Sequence, residues 1–497
     1  MNTSVVRYII GHIIRIEGIL LLILMLCGLY FGENHIALCY LAVSIGAVLF
    51  GCAMTIKKPK DWVFYLKEGC VTTAVSWIVM SIFGALPLRI TGEVTDYVDA
   101  LFEIVSGFTT TGSSIMDDIE ALSHATLLWR SLTHWVGGMG VLVFLLAIIP
   151  LTGGGGSYMN LMRAESPGPS VGKLGPKLKY TARALYITYL ALTVLEFIFL
   201  IAGDMGVFEA INTSISTAGT GGFAIKNDSL ASASAYSQWV VAVFMILFGV
   251  NFNFYYLLVF KQAKKALAME EVKVYLGVVL GASALISTSL IWHGQSLGSA
   301  ARDAVFSVAT IISTTGFGTA DFDLWSTGCK VILVLLMFSG ACAGSTGGGI
   351  KISRIVIMFK LVKREIHAYL HPHSVENVTL DDAPIATEVL RSVNSFLYTY
   401  AIMFIVSLFI ISMQGFDLIT SFTSIVASMS NIGPGLAKIG PTCNYTLFNH
   451  TSQFVLMFDM LAGRLELFPM LILFTPSLWK TVVKKRYFSK ESIKSSK

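Results

Sequence analysis

Long apolar stretches alternate with short polar ones along most of this 497-residue chain. A helix needs about 20 mainly apolar residues to cross the hydrocarbon core of a bilayer. Ten stretches are long and apolar enough, at residues 8–30, 36–56, 69–90, 125–150, 183–203, 236–260, 272–292, 327–357, 392–414 and 452–480. The pattern therefore predicts an all-α polytopic membrane protein with ten transmembrane helices.

The composition excludes most other classes of protein. Hydrophobic residues make up 55% of the chain and charged residues only 13%, whereas soluble domains carry about 25% charged residues. A soluble enzyme, a nucleic-acid binder and a secreted disulfide scaffold are therefore ruled out. The seven cysteines include no C-x-x-C pair, so neither a disulfide framework nor a zinc site is indicated. We find no catalytic constellation and expect neither an enzyme nor a covalent cofactor.

The charges indicate how the chain is oriented. Lys and Arg concentrate near both ends and in alternate loops, at residues 7–15, 57–67, 163–183, 261–273, 351–391 and from Lys480 onward. Cytoplasmic loops carry such an excess, so both termini are predicted to be cytoplasmic. Acids outnumber bases on the opposite face, where we count Glu103 and Arg130. A net acidic mouth concentrates cations, although any single acid there can simply be a solvated loop charge or a helix cap.

Four similar six-residue motifs, which we call the words, recur between paired predicted spans on the outer side. They are TTTGSS at 109–114, STAGTG at 216–221, STTGFG at 313–318 and SNIGPG at 430–435. Their matched glycines are Gly112, Gly219, Gly316 and Gly433. Such a regular period predicts four pseudo-symmetric repeats, at 61–160, 161–265, 266–365 and 366–497, after two N-terminal helices in 1–60.

The words suggest a cation site made of backbone carbonyls. The residues before each word can form a half-span helix, such as 99–108, and glycine then permits backbone angles closed to other residues. Four such segments around one axis would present rings of carbonyl oxygens that replace the hydration shell of a cation. The alternative is that the words are only structural turns. The predicted filter residues are Thr110, Thr111, Gly112, Thr217, Ala218, Gly219, Thr314, Thr315, Gly316, Asn431, Ile432 and Gly433.

From the third predicted span onward, the chain resembles the Trk/Ktr/HKT superfamily of potassium transporters, and its two extra N-terminal helices resemble the Trk branch. The resemblance implies four helix–P-loop–helix repeats around one pore, with K⁺ as the bound and transported ion. It links glycine at all four matched positions to preference for potassium over sodium. It also implies a homodimer in the inner membrane and a cytosolic, nucleotide-binding, TrkA-like regulatory subunit. The fourth segment departs from the pattern, with Asn431 and Ile432 before its glycine.

A glycine-rich stretch interrupts the eighth predicted span. Its glycines are Gly340, Gly344, Gly347, Gly348 and Gly349. A nucleotide-binding P-loop is excluded because Ile350 separates Gly349 from Lys351 and breaks the required Gly-Lys pair. Each glycine destabilises a helix by up to about 1 kcal/mol relative to alanine, so the sequence predicts a mobile loop. The resemblance makes this loop, with Lys351, an intramembrane gate; close helix packing through small residues is the alternative.

Arg464 is the one basic residue placed inside a predicted span. Burying an unpaired charge there costs at least about 2.5 to 3.5 kcal/mol, so its side chain must face water or a partner. We interpret it as a positive barrier in the pore, which the resemblance supports. A structural ion pair with Asp459 or Glu466 is the alternative. Glu196 is a second intramembrane charge, for which the sequence suggests only a packing hydrogen bond.

Together these patterns predict potassium uptake through a gated filter. The basic inner face could bind the regulatory subunit, or equally anionic lipid. A sodium-permeable protein or one coupled to H⁺ or Na⁺ fits the same pattern. A carrier for an organic solute would instead have two inverted halves, and a non-conducting scaffold would show no flux.

Overall fold

The computed structural model describes residues 1–60, 65–140, 178–374, 376–476 and 478. The basic residues predicted at 163–177 and from Lys480 onward lie outside this set, as does the boundary between the first two predicted repeats. Within it the chain is mostly helical. Six helices are long and apolar enough to cross a membrane, and a bent pair is a seventh candidate.

Two antiparallel helices form an N-terminal hairpin. These are α1 (Thr3–Tyr30) and α2 (Asn34–Thr55). Small residues let their backbones approach closely, since Ser44 Oγ donates to the Gly18 carbonyl oxygen at 2.6 Å. The buried side of α1 packs on the helices Leu66–Thr91 and His124–Gly138, which fixes the hairpin against the rest of the protein.

The rest of the described residues form four sets of three helices, which we call triplets 1 to 4, and a few connecting elements. Each has a long helix, a short helix of 12 to 16 residues and a third helix. Triplets 1 and 2 comprise α3 (Leu66–Thr91), α4 (Tyr97–Phe108), α5 (His124–Gly138), α6 (Leu178–Ala202), α7 (Val207–Gly219) and α8 (Ala235–Gly249). After α8 come α9 (Phe252–Val259) and α10 (Ala263–Ala268).

Triplets 3 and 4 follow the same order. They comprise α11 (Glu270–Trp292), α12 (Leu297–Ile312), α13 (Thr327–Ser339), α15 (Thr387–Ser412), α16 (Leu418–Met429) and α17 (His450–Arg464). Between these triplets lie α14 (Ile352–Leu370) and a hairpin of β1 (Thr379–Leu380) and β2 (Ala383–Pro384); the short α18 (Phe468–Leu471) follows α17. Single 3₁₀ turns occur at Phe322–Leu324, Ala437–Ile439 and Ile472–Phe474.

Besides the span interrupted by the glycine-rich stretch, two predicted spans are broken in the described part of the chain. The span predicted at 236–260 bends by 89° between α8 and α9, because Val250 and Asn251 leave the helical conformation. The span predicted at 452–480 ends as a helix at Arg464. Glu466 and Leu467 have φ of +56° and +67°, which no helix accommodates.

The short helices α4, α7, α12 and α16 lie in the core and span only part of a bilayer. The 12 residues of α4 rise about 18 Å, against about 30 Å for the hydrocarbon core. Side-chain caps start three of them, with Asp96, Ser296 and Asp417 accepting backbone N–H groups. Their C-terminal ends carry the candidate site.

Candidate functional site

The four short helices end in one shared backbone motif. A left-handed residue lies one or two positions after the end of each helix: Thr110, Thr220, Thr314 and Asn431, with φ of 56°, 54°, 60° and 55°. The N–H of each donates three residues back along the chain, and the next N–H donates five residues back. This double bond pattern is a Schellman motif, usually built on glycine. Left-handed threonine costs about 1–3 kcal/mol and persists where the surroundings impose it.

A left-handed glycine follows two residues later in each segment. These ring glycines, as we call them, are Gly112, Gly222, Gly316 and Gly433, with φ of 79°, 78°, 90° and 95°. Such values favour glycine because other residues carry a Cβ. The backbone course is therefore the same in all four segments.

The four segments contact each other in a closed cycle. A methyl group on Gly112 would overlap the Gly221 carbonyl oxygen, and one on Gly222 would overlap that of Thr315. One on Gly316 would overlap the Ile432 carbonyl oxygen, and one on Gly433 would lie 2.7 Å from that of Thr111. Each ring glycine thus faces the carbonyl oxygen just before the next one. We call the oxygens of Thr111, Gly221, Thr315 and Ile432 the ring carbonyls.

The structure places the second segment in a different register from the one predicted by matching the four words. Thr217, Ala218 and Gly219 were matched to the other words, but they form the last turn of α7. Thr220, Gly221 and Gly222 take the equivalent positions, so the match of Gly219 to the other three glycines is wrong by three residues. Close packing of Gly219 on the His134 backbone extends α7 to that point. The doubled glycine at 221–222 was the available signal.

The fourth segment has the common backbone despite its different residues. Asn431 is left-handed like the threonines, and Ile432 N–H donates to the Ala427 carbonyl oxygen at 2.9 Å. The Asn431 amide donates to Thr111 Oγ1 at 3.0 Å and to the Met460 carbonyl oxygen at 2.9 Å. Asparagine adopts left-handed angles readily, so the substitution preserves the geometry.

The predicted glycine-rich loop, residues 340–351, lies directly against the ring segments. Gly348 N–H donates to Thr314 Oγ1 at 2.7 Å. A methyl group on Gly347 would lie 2.8 Å from the Ser313 carbonyl oxygen, and one on Gly348 would press on that of Ser430. Gly344 and Gly349, both with φ of +71°, turn the chain at either end of this contact. Helix α13 therefore stops at Ser339, as the glycines predict.

Glu271 of α11 anchors both ends of the glycine-rich loop. Its Oε1 accepts from Ala343 N–H at 2.6 Å and from Ser353 N–H at 3.0 Å. The side chain of Asn251, at the break between α8 and α9, contacts the same carboxylate. Sequence reasoning missed both anchors. Within the loop, Lys351 Nζ donates to the carbonyl oxygens of Gly347 and Gly348.

Arg464 joins this loop to triplet 1. Its guanidinium donates to the Thr346 carbonyl oxygen at 2.8 Å and to those of Gly137 and Gly138 at 2.6 and 2.8 Å. Of the two acids considered as partners, Glu466 forms an ion pair with Arg354. Asp459 accepts from Ser407 Oγ at 2.9 Å. Arg464, the last residue of α17, thus connects the glycine-rich loop to the C-terminal end of α5.

Acidic loops connect the triplets on the far side of the ring from the glycine-rich loop. Asn227 Nδ2 donates to Asp118 Oδ1 at 2.8 Å, and Asn444 Nδ2 donates to Asp117 Oδ1 at 2.8 Å. The hydrogen bond from Asn227 holds the pKa of Asp118 below its ordinary value. The carboxylate of Asp118 therefore stays ionised throughout the neutral range.

The oxygen ligands offered by this site are carbonyls and hydroxyls. Across the described ranges no cluster of three or more His, Cys, Asp or Glu side chains could hold a metal ion. Carbonyl oxygens suit a weakly held, monovalent cation that must leave again.

Comparison with known proteins gives consistent results. The family described as the cation transport protein TrkH matches residues 41–288 and 287–481. The potassium uptake protein TrkH of Escherichia coli K12 is 35% identical over 83% of this chain and 86% of its own length. TrkG of the same organism is 31% identical over 97% of this chain and all of its own. The crystal structure of the potassium transporter TrkH from Vibrio parahaemolyticus matches with a TM-score of 0.86 at 27% identity, over 96% of this chain and 100% of that one.

Proposed function

This chain belongs to the TrkH family of cation transport proteins, and on that premise we propose that it conducts potassium ions through the closed ring of carbonyl oxygens. The family resemblance expected from the sequence is confirmed. Its members are transporters rather than enzymes, and the chain is a multi-pass membrane protein. Potassium is the ion named for the relatives.

The cyclic contact of four equivalent segments is the observation that carries the proposal. The ring carbonyls come from four parts of one chain, and each lies against a ring glycine of the neighbouring segment that leaves no room for a side chain. A dehydrated monovalent cation needs such a set of oxygens in place of its water shell. Irregular backbone at membrane depth is tolerated only where it is buried or lines water. We therefore interpret the triplets as four pseudo-symmetric repeats around one pore, with α4, α7, α12 and α16 as pore helices.

The glycine-rich loop is the proposed gate. It presses on two ring segments from one side, and the positive charge of Arg464 lies beside it. An ion leaving the ring in that direction meets both a steric and an electrostatic obstacle. In this proposal opening requires the loop to leave Thr314 and Thr346 to leave Arg464.

The basic inner face supports the remaining parts of the proposal. We place the protein in the inner membrane with both termini in the cytoplasm, because Lys and Arg concentrate in alternate loops. A homodimer regulated by a cytosolic nucleotide-binding subunit follows from the family resemblance. Regulation would act by moving the glycine-rich loop.

Rubidium uptake into proteoliposomes tests the function. We expect purified protein to take up rubidium, and potassium to compete better than sodium. A variant that replaces Gly112 by serine should lose that order of competition, while Gly92→Ser, with a similar φ of +82° and open space around it, should keep it. Equal competition by sodium in the unaltered protein would favour a sodium-permeable transporter, and uptake dependent on a proton or sodium gradient would favour coupled transport. No uptake at all would contradict the proposal.

A further inference from the structure

A charged pair lies buried behind the ring. Glu103 of α4 and Arg130 of α5 are 0% and 1% exposed, with Glu103 Oε1 2.8 Å from Arg130 Nε. The sequence predicts both residues on the outer face, where a single acid can be a solvated loop charge; in the structure both side chains are instead enclosed by other helices. Removing one partner of such a pair leaves an uncompensated buried charge. The pair is therefore a stiff element of the wall around the ring.

The pair holds the chain just beyond the ring glycine of triplet 1. Ser114 Oγ lies 3.1 and 3.2 Å from the two oxygens of Glu103, and Ile115 N–H donates to Glu103 Oε2 at 3.0 Å. Arg130 Nη2 donates to Ser114 Oγ at 3.3 Å. Bonds to charged groups are stronger than neutral ones, so the segment after Gly112 is fixed by both members of the pair.

The same pair reaches the second segment. Arg130 Nη1 donates to the Ala224 carbonyl oxygen at 3.1 Å. Its guanidinium carbon lies 4.1 Å from the centre of the Phe223 ring, a favourable cation–π contact. These two residues directly follow Gly222. Arg130 therefore ties the outer ends of segments 1 and 2 together.

Ser114 extends the connection to the fourth segment. Tyr445 N–H donates to the Ser114 carbonyl oxygen at 2.9 Å, and the Tyr445 hydroxyl donates to the Gly433 carbonyl oxygen at 2.7 Å. Three of the four segments are thus linked through one buried ion pair. A displacement of that pair would be transmitted to each of them.

This feature belongs to triplet 1 alone. Counting back from the left-handed residue, the positions equivalent to Glu103 are Thr213, Ser307 and Ser424. Counting forward from the helix cap, those equivalent to Arg130 are Val241, Leu333 and Leu456. Small hydroxyl and apolar residues suffice to pack the other three helix pairs. Packing alone therefore does not explain the ion pair of triplet 1.

We propose that the Glu103–Arg130 pair is a positioning element that fixes the spacing of the ring carbonyls and thereby sets discrimination between potassium and sodium. The inference rests on the proposed function and adds residues that never touch the ion. Sodium is the smaller cation, so a ring able to contract would coordinate it better. Selectivity by carbonyls depends on cavity size and on the field the carbonyls supply. Loosening the wall should therefore admit sodium.

The test replaces both charges at once. Glu103→Leu with Arg130→Met removes the pair without stranding a buried charge, a change that proteins often tolerate. We expect a folded protein whose preference for rubidium over sodium falls about tenfold, equivalent to about 1.4 kcal/mol. Arg130→Lys, which keeps the charge but loses the planar fork that makes three contacts, should show a smaller loss in the same direction. A merely structural role would lower folded yield and thermal stability without changing selectivity in the folded fraction.

A second pair provides the matched control. Glu209 and Lys226 of triplet 2 lie 2.9 Å apart but are 20% and 35% exposed. Glu209→Gln with Lys226→Met should leave selectivity unchanged. Unaltered selectivity in the folded Glu103/Arg130 double variant would overturn the inference. If Gly112→Ser then still alters selectivity, the proposed function stands without it; if neither variant does, the proposed function fails as well.

Discussion

The ring and the glycine-rich loop below it are both rich in glycine but are fixed in different ways. In the ring one backbone course occurs four times, and the preceding residue pairs vary from Thr-Thr to Thr-Gly and Asn-Ile. The loop occurs once and is held by individual side chains of Glu271, Lys351 and Arg464. The ring should thus tolerate changes of side chain but not an added Cβ. In the loop, the loss of a single polar contact should change basal ion flux.

The largest effect is expected where a side chain enters the ring. Gly222→Ala places a methyl group on the Thr315 carbonyl oxygen at a φ of +78°. We expect at least a tenfold loss of rubidium over sodium preference, or about 1.4 kcal/mol, measured by competitive uptake. Gly92→Ala controls for the strain of positive φ, since its surroundings are open.

The neighbouring Gly219 distinguishes the two alignments of the second segment. A methyl group there meets the His134 backbone and no ring carbonyl. Gly219→Ala should lower folded yield and leave the selectivity of the folded fraction unchanged. If Gly219→Ala changed selectivity and Gly222→Ala did not, Gly219 and not Gly222 would be the ring glycine of the second segment.

Arg464 should show the next largest effect. Arg464→Ala removes three hydrogen bonds and a positive charge beside the loop. Basal flux without a regulatory subunit should rise about tenfold, since about 1.4 kcal/mol suffices for that change, and selectivity should stay as before.

Arg464→Lys separates charge from attachment. Lysine keeps the positive charge but lacks the planar fork of donors. Flux as low as in the unaltered protein would identify an electrostatic barrier, whereas flux as high as in Arg464→Ala would identify mechanical attachment of the loop. A less stable Arg464→Ala protein with reduced flux would contradict both.

Glu271 should show an intermediate effect. Its loss leaves the N–H groups of Ala343 and Ser353 without their acceptor in the closed loop. Only the bond to Ala343 lies within the loop, and at about 1 kcal/mol for one net hydrogen bond Glu271→Ala should raise basal flux about fivefold. Glu270→Ala, one residue earlier and paired with Lys360 on the surface, should leave flux unaltered. A flux increase of the same size in both variants would show that helix α11, and not the contact with the loop, is responsible.

The smallest effect is expected at the acidic mouth. Asp118→Asn should lower rubidium uptake about twofold at low salt and have no effect at high salt, because exposed charges are screened. The hydrogen bond from Asn227 lowers the pKa of Asp118, so its contribution should persist on acidification below the ordinary range near about 3.9. Asn227→Ala should shift the loss of that contribution to higher pH. Salt-independent loss of uptake in Asp118→Asn would indicate a structural defect instead.

The sequence predicted much of this arrangement because the signals were local. The glycine words located three ring segments, and the glycine density of 340–349 located the loop and the end of α13. Where α7 ends was not predictable, since STAGTGG offers glycines in two registers and tertiary packing on His134 decides between them. The bend at Val250 was not predicted, because the apolar residues on both sides outweigh Gly249, Asn251 and Asn253 at the break.

The contacts that fix the loop and the wall of the ring could not be predicted from local sequence. Glu271 and Ala343 are 72 residues apart, and Arg464 and Gly137 are 327 apart. Charges on an outer segment are usually solvated, so Glu103 and Arg130 gave no sign of their burial. Such pairings depend on how the triplets pack together, which no periodicity in a single sequence encodes.

The four ring segments belong to a single polypeptide, so a mutation can change one segment without changing the other three. In an assembly of identical subunits every mutation appears once per subunit, so all four segments of a fourfold ring would carry the same substitution. Here one codon changes one quarter of the ring, and selection can adjust each quarter separately. Asn431 and Ile432 in one quarter, and the ion pair behind another, are differences that an assembly of identical chains could not carry.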